Sequence, residues 1–325
     1  MTASTLFIRA TRGGSHRDID PTEFEAFPFE HGDTLEVLPE SEAAKLPKSW
    51  ADTCIEIAPG HAFRVPPKFE FFDYKGYRIP EHLIALTGAG SETLDIIGRA
   101  HIEHLERFVG IDPGMTFFEI GCGIGRDAFH LADILNSDGG YIGIDVTRDS
   151  IMWAKRHITP KHPNFVFFHL DAFSELYNPF GRYPATHFML PAPSASIDRI
   201  VLTSVFTHML DDEVLDYMRE FARILKPEAL VYANFFLISD ETLKAAETSG
   251  HTPWAKDFVH YGNGRYSADP AHPRGAVGYT DEAMRRMISE AGLKLQRPYI
   301  KGWWSGLYSD DVAEDGQDAV VLTRA

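Results

Sequence analysis

The sequence predicts an α/β fold: a doubly wound, mostly parallel sheet of seven strands behind an N-terminal extension of mixed β character. Three observations carry this expectation. Between Met115 and Leu237, short apolar runs alternate with stretches of helical periodicity, the pattern of a parallel sheet covered by helices on both faces. A glycine-rich segment, Gly121-Cys122-Gly123-Ile124-Gly125, joins the first apolar run to the helical stretch that follows. The chain's 325 residues, 44% of them hydrophobic, are enough for one large core or two smaller ones.

The elements follow in order. Residues 1–88 hold short β-like pieces, TLEVL, CIEIA and FEFFDY, punctuated by Pro and Gly. Residues 91–108 read as an amphipathic helix with Leu94, Ile97, Ile102, Leu105 and Phe108 inward. MTFFEI (115–120) is the first strand of the sheet, and 126–135 is a helix with Ala128, Phe129, Leu131, Ala132 and Leu135 at helical spacing. YIGIDV (141–146) is the second strand, with Asp149 and Ser150 at the start of the helix after it. NFVFFHL (164–170) and DRIVLT (198–203) are the third and fourth, separated by a Pro-rich linker that cannot be a regular helix. Asp211 and Asp212 open a helix that Lys226 and Pro227 stop, and LVYANFFLI (230–238) is the fifth strand. Thr280 caps a helix ended by Gly292, with strand-like pieces at 293–300 and 318–323. The segment 239–278 falls outside the scheme; loops of that size are usually functional lids or disordered. The expected division is an extension, 1–88, and a domain, 89–325, carrying the insertion 239–278.

Composition excludes several classes. With 31 basic against 47 acidic residues the net charge is −16, which repels a phosphate backbone, and no basic run offsets it. Cys54 and Cys122 are too few and too far apart for a disulfide framework or a structural zinc site, so a reducing compartment is expected. The N-terminus has no signal-peptide core and no stretch approaches a membrane span, so the expectation is a soluble cytoplasmic protein.

The glycine segment is the most informative part. A dinucleotide fingerprint starting at Gly121 needs a third glycine where Arg126 stands, and a phosphate-binding Walker loop needs Gly-Lys-Ser/Thr. What is present is ExGxGxG, from Glu119 to Gly125, with a further acid, Asp145, closing the second strand and Asp171 just beyond the third. This series, followed by ILKP and the fifth strand, resembles the Rossmann-like class I S-adenosylmethionine (SAM) dependent methyltransferases. The resemblance implies SAM as cofactor and S-adenosylhomocysteine as product. It implies that Gly121, Cys122, Gly123 and Gly125 run beneath the cofactor, that Glu119 positions its methionine end, and that Asp145 accepts from the ribose hydroxyls, with Val146 beside it. Asp171 and Ala172 would face the adenine, Thr203 would border the site, and Gly98 would let the preceding helix approach the cofactor closely.

NPFGRYP, SVFTHM, RILKP, FFLIS and GWWSG together resemble a bacterial branch of that family associated with polysaccharide and glycan biosynthesis. The family usually carries KPGG before the fifth strand where this chain has Lys226-Pro227-Glu228-Ala229, so the turn is expected to avoid positive φ there.

Ligands of an open α/β sheet collect beyond the carboxyl ends of its strands, which places the methyl acceptor near SVFTHM. Transfer to a hydroxyl needs a base, and His208 is the candidate; Thr207 or His208 shaping the turn is the bland alternative. Asp211 is the nearby acid for substrate or for orienting His208, although acids in a first helical turn commonly serve the helix dipole. Tyr261, Trp303 and Trp304 offer aromatic faces to a sugar, though aromatics are more often core. His251, His260 and His272 are spaced too irregularly to predict a metal site.

The expected activity is O-methylation of a sugar hydroxyl on a glycan, polysaccharide or glycolipid. Another small-molecule O-, N- or C-methyltransferase, a non-catalytic SAM-binding subunit and a dehydrogenase are the alternatives. Base-methylating enzymes commonly show [DNS]PP[YFW] after the fourth strand; TSVF stands here, so nucleic acid is not expected as a partner. For residues 1–88, packing on the sheet edge, homo-oligomerisation and covering the substrate all stay open.

Overall fold

The computed structural model describes residues 71–88, 90–269, 271–308 and 315–325, together with the backbone of five strands between residues 7 and 64. Those five are β1 (Phe7–Arg12), β2 (Ser15–His16), β3 (Thr34–Leu38), β4 (Cys54–Ala58) and β5 (His61–Arg64). They form an antiparallel sheet in the order β2-β1-β3 and a separate β4-β5 pair, so TLEVL and CIEIA are strands as expected.

A hairpin of β6 (Phe71–Tyr74) and β7 (Tyr77–Pro80) follows. Its two-residue turn, Lys75-Gly76, has both φ angles positive, +47° and +74°, matching the twist of the strands it joins. After it come α1 (Glu81–Ala85) and α2 (Ser91–Phe108). Tyr77, Ile79, Leu83 and Ile84 share one buried core with Leu94, Ile102, Leu105 and Phe108 of α2 and with Phe117 of the sheet. The hairpin and α1, within the segment assigned to the extension, thus pack as part of the sheet's own covering layer.

The sheet contains β8 (Thr116–Ile120), β9 (Gly140–Asp145), β10 (Phe165–His169), β11 (Ile197–Leu202) and β12 (Leu225–Ile238). They pair in parallel in the order β10-β9-β8-β11-β12. Helices α3 (Ala128–Ile134), α4 (Arg148–His157) and α5 (Asp211–Ile224) connect them, α3 starting two residues later than its periodicity suggested. Successive strand residues are buried on opposite faces: Phe118, Ile200 and Val231 join one core, while Phe117, Val201 and Tyr232 join the other. Double burial is why these strands read as unbroken apolar runs. On α5 the inward residues Val214, Tyr217, Met218, Phe221 and Ile224 recur every three or four positions, one face of a helix.

Beyond β12 the chain forms α6 (Asp240–Ser249), β13 (Val259–His260), β14 (Arg265–Ser267), β15 (Val277–Thr280), α7 (Asp281–Glu290), β16 (Leu293–Leu295) and β17 (Asp318–Arg324). β17 runs antiparallel to the middle of β12 and carries β16, which completes seven strands in the order β10-β9-β8-β11-β12-β17-β16. The insertion is a built element. Its strands β13, β14 and β15 attach through β15 to the last three residues of β12, which outrun β17. Thr280 caps α7 as expected, its side chain accepting from the Ala283 amide.

One expectation is corrected at 226–229. Ile197 pairs with Leu225 and Arg199 with Leu230, so β12 bulges by several residues, and Glu228 takes a positive φ of +63° inside that bulge. The turn keeps the shape a glycine would give it, at a cost of about 1–2 kcal/mol for a side chain in the left-handed region. Lys226, whose Nζ lies 2.6 Å from Asp198 Oδ2, ties the bulge to β11.

Candidate functional site

A cleft opens where β8, β9 and β11 end. It is lined by Glu119, Gly121, Cys122, Gly123, Asp145, Val146, Thr203 and His208. The structure therefore brings together eight residues that the sequence analysis singled out from four separate segments. Leu86, Thr87, Arg126, Thr147, Ser174, Tyr177, Ser204, Val205 and Met209 also line it. Ser204, Val205 and Met209 belong to the SVFTHM segment expected near the acceptor; sequence reasoning missed the other six, of which Arg126 stood directly beside the glycine motif.

The loop after β8 is shaped by backbone angles that favour glycine: φ is +75° at Gly121, +52° at Gly123 and +87° at Gly125. A Cβ on Gly121 would lie 2.6 Å from Val205 Cγ2. Ser204, next to that valine, is itself held at φ +58°, a strained angle at the mouth of the cleft. Four of the loop amides are already engaged: Gly121 and Cys122 donate to the Ile144 carbonyl, Gly125 to the Cys122 carbonyl, and Gly123 to Asp145 Oδ2. A phosphate cradle needs such donors free, so this loop grips by shape.

Three carboxylates surround it. Glu119 is buried and accepts a hydrogen bond from the Tyr141 hydroxyl. Burial, then the neighbouring Asp127, pushes its carboxyl well above the usual range. Asp127, at the start of α3, is buried too; its own burial works against ionisation, but His101, 2.9 Å from Oδ1, holds it below the usual range. Asp145 is raised by burial against the opposing pull of hydrogen bonds from Thr147 and the Gly123 amide. Its Oδ1 accepts from the Thr147 amide at 2.7 Å and hydroxyl at 2.6 Å, and its Oδ2 from the Gly123 amide at 2.7 Å. A carboxylate has about four acceptor positions, so one of Asp145's remains for a ligand hydroxyl. Buried acids around a loop with four of its amide donors engaged disfavour a phosphate.

His208 ends a short 3₁₀ turn, Phe206–His208, after β11. Its Nδ1 lies 3.0 Å from the main-chain carbonyl of Arg274 in the insertion. A carbonyl only accepts, so Nδ1 carries the proton and Nε2 keeps its lone pair. Burial pulls the imidazole below its ordinary value, against the backbone hydrogen bonds to Arg274 and Gly275. His208 thus stands as a partly buried imidazole in the cleft wall, with the Tyr177 ring edge-on 5.9 Å away.

Residues 111–260 match the family model described as a methyltransferase domain. That segment is similar to a methyltransferase domain. A curated relative, an arsenite methyltransferase of Aquipseudomonas alcaligenes, is 24% identical over 214 residues, which is 60% of this chain and 59% of the relative. The alignment thus leaves about two fifths of that relative unmatched. Among solved structures, a SAM-dependent methyltransferase from Aquifex aeolicus is 14% identical, with 75% of this chain and 98% of that one covered and a TM-score of 0.44. One from Methanosarcina mazei is 18% identical, with coverages of 69% and 96% and a TM-score of 0.43.

Several expected site residues lie outside the lining of the cleft. Gly125 packs against Ile158, Ala128 and Phe167, where it lets loop and sheet approach. Gly98 meets His130, whose Nε2 would be 2.6 Å from a Cβ there, so its smallness serves the contact of α2 with α3. Asp171 is engaged by Arg182 Nε at 2.6 Å, and Ala172 is buried in a bridge to Tyr183. Asp211 pairs with Arg265 of the insertion instead of orienting His208. Tyr261 is exposed beneath the same arginine, 5.3 Å from its ring centre. Trp304 is buried against Phe236 and Phe258 with its indole N–H donated to Asp318 at 2.6 Å, and Trp303 borders Gly316. Among the described residues no group of three or more His, Cys, Asp or Glu is placed to hold a metal ion, and no helix is long and apolar enough to cross a membrane.

Proposed function

We propose that this chain is a SAM-dependent methyltransferase acting on a hydroxyl oxygen, with a sugar of a glycan, polysaccharide or glycolipid as acceptor. The observation that supports the O-transfer reading is His208, which lines the cleft with its Nδ1 held against the Arg274 carbonyl. When bound, SAM supplies an electrophilic methyl group on a sulfonium. Gly121 and Gly123 would supply its cradle, Glu119 would lie toward the amino end and Asp145 would take a ribose hydroxyl. His208 would take the proton that the acceptor hydroxyl gives up on methylation. The hydroxyls of Ser174, Thr203 and Ser204 and the ring of Tyr177 give the mouth the mixed polar and aromatic character that sugars bind.

The substrate of the arsenite-methylating relative fits this cleft poorly. A soft, thiophilic centre calls for thiolates. The one thiol in the lining is Cys122, buried and held protonated, first by that burial and then by Asp145 and Glu119.

Methyl-labelled SAM, offered with saccharide pools and with non-saccharide hydroxyl compounds, tests the proposal. Label in the saccharide fraction is expected, and label confined to the other fraction overturns the sugar reading. Calorimetry against SAM, S-adenosylhomocysteine and NAD tests the cofactor independently. Tight homocysteine-product binding without transfer to any pool would favour a non-catalytic subunit.

A further inference from the structure

The insertion supplies the group that sets the proposed base, and the geometry points to Arg274 as the positioning residue that holds it there. His208 has no carboxylate on Nδ1; it has the Arg274 main-chain carbonyl, sixty-six residues away in sequence and 3.0 Å away in space. A carbonyl on a loop fixes a ring only if the loop is itself fixed. Arg274 meets that need through its side chain, whose Nη2 lies 2.7 Å from Glu213 Oε1. Glu213 is buried, and its other oxygen accepts from the Leu210 amide at 2.8 Å, closing the first turn of α5. One arginine therefore bridges the start of α5 to the turn that carries the imidazole, with its guanidinium on the helix and its carbonyl on His208. A second tie, from His272 Nδ1 to Glu175 Oε1 at 3.1 Å, joins the same stretch of the insertion to the loop holding Ser174 and Tyr177. That pair is exposed and screened, whereas the Arg274 pair is anchored on a buried carboxylate, so the arginine carries the positioning.

Arg274 and Glu213 neutralise one another, and the Tyr177 hydroxyl is kept protonated by burial and by Asp145. The clamp thus acts through orientation and tautomer. Its kinetic consequence rests on the reading of His208 as the base; its structural content does not.

The test uses the full chain, histidine-labelled with ¹⁵N and saturated with S-adenosylhomocysteine. In the wild type, His208 is expected as a single tautomer protonated at Nδ1. Arg274→Ala frees the carbonyl and should give a mixture of tautomers, with Arg274→Lys restoring part of the original signal through Glu213. Glu213→Gln combined with Arg274→Ala avoids a buried unpaired charge and should show the same mixture, which guards against misfolding of the single variant. With an acceptor from the saccharide pools, kcat should fall about 10–100-fold while KM for SAM stays constant. An unchanged His208 signal in both Arg274 variants overturns the clamp. A His208→Gln variant with undiminished turnover overturns the base instead, and the tautomer measurement then still decides the clamp on its own.

Discussion

Gly121→Ala tests the cradle most directly, because its cost can be worked from two separate features of the structure. The residue sits at φ +75°, where a Cβ costs about 1–2 kcal/mol. That Cβ would also lie 2.6 Å from Val205 Cγ2, and relieving such overpacking costs about 1–3 kcal/mol more. Two other glycines separate the terms. Gly250, the left-handed C-cap of α6, has φ +66° and nothing within 4 Å of a Cβ, so Gly250→Ala should lose about 1–2 kcal/mol. Gly114 is exposed, has no positive φ and also meets nothing, so Gly114→Ala should stay within about 0.5 kcal/mol of the wild type. Urea unfolding of the three variants gives the differences. At ~2–4 °C per kcal/mol for a domain of this size, Gly121→Ala should melt ~4–20 °C lower. Because Val205 lines the cleft, calorimetry should show weaker S-adenosylhomocysteine binding for Gly121→Ala alone. Equal losses for Gly121→Ala and Gly250→Ala, with product affinity intact in both, would refute the crowding at the cradle.

The other predictions concern charge. A base must be deprotonated to act, and burial lowers His208, so the acid limb of kcat should lie below the ordinary imidazole value of about 6.5; a limb at or above it speaks against His208. Glu119 is raised in the folded state, which therefore binds more protons than the unfolded chain above about pH 4.3, so the stability this residue contributes falls as pH climbs through that region. Glu119→Gln should consequently melt higher than the wild type at pH 8, with little difference near pH 4, while binding SAM more weakly; a variant that melts lower at pH 8 contradicts this sign. Asp318 accepts from the Leu237 and Gly302 amides and the Trp304 indole, so Asp318→Asn turns an amide donor toward donors. A loss of about 1.5–3 kcal/mol is expected in urea unfolding, and an unchanged midpoint would show that these bonds carry no net stability.

Much of the central sheet was legible because its determinants are local. The strands β8 to β12 announce themselves as apolar runs, and α5 by its three- and four-residue spacing, since period and burial depend on neighbours a few positions apart. The glycine loop was legible for the same reason: a positive φ is a property of one residue. Glu228 marks the limit of that logic, because β11 and β12 impose a bulge that overrides the reluctance of a side chain to adopt such an angle.

The sequence by itself thus determined the order of the strands along the chain, the glycine turn and the acids that close β8 and β9. Tertiary structure alone decided which polar groups remain free for a ligand. Asp171 and Asp211 carry the same chemistry as Asp145, but Arg182 and Arg265, eleven and fifty-four residues away, engage them. Trp304 and Trp303 are neighbours in sequence, and only the packing of Phe236 and Phe258 buries one of them. The proton position on His208 likewise depends on a carbonyl in the insertion. Hydrogen bonds and burial are won in competition among distant segments, and the winners are fixed only when the whole chain has folded.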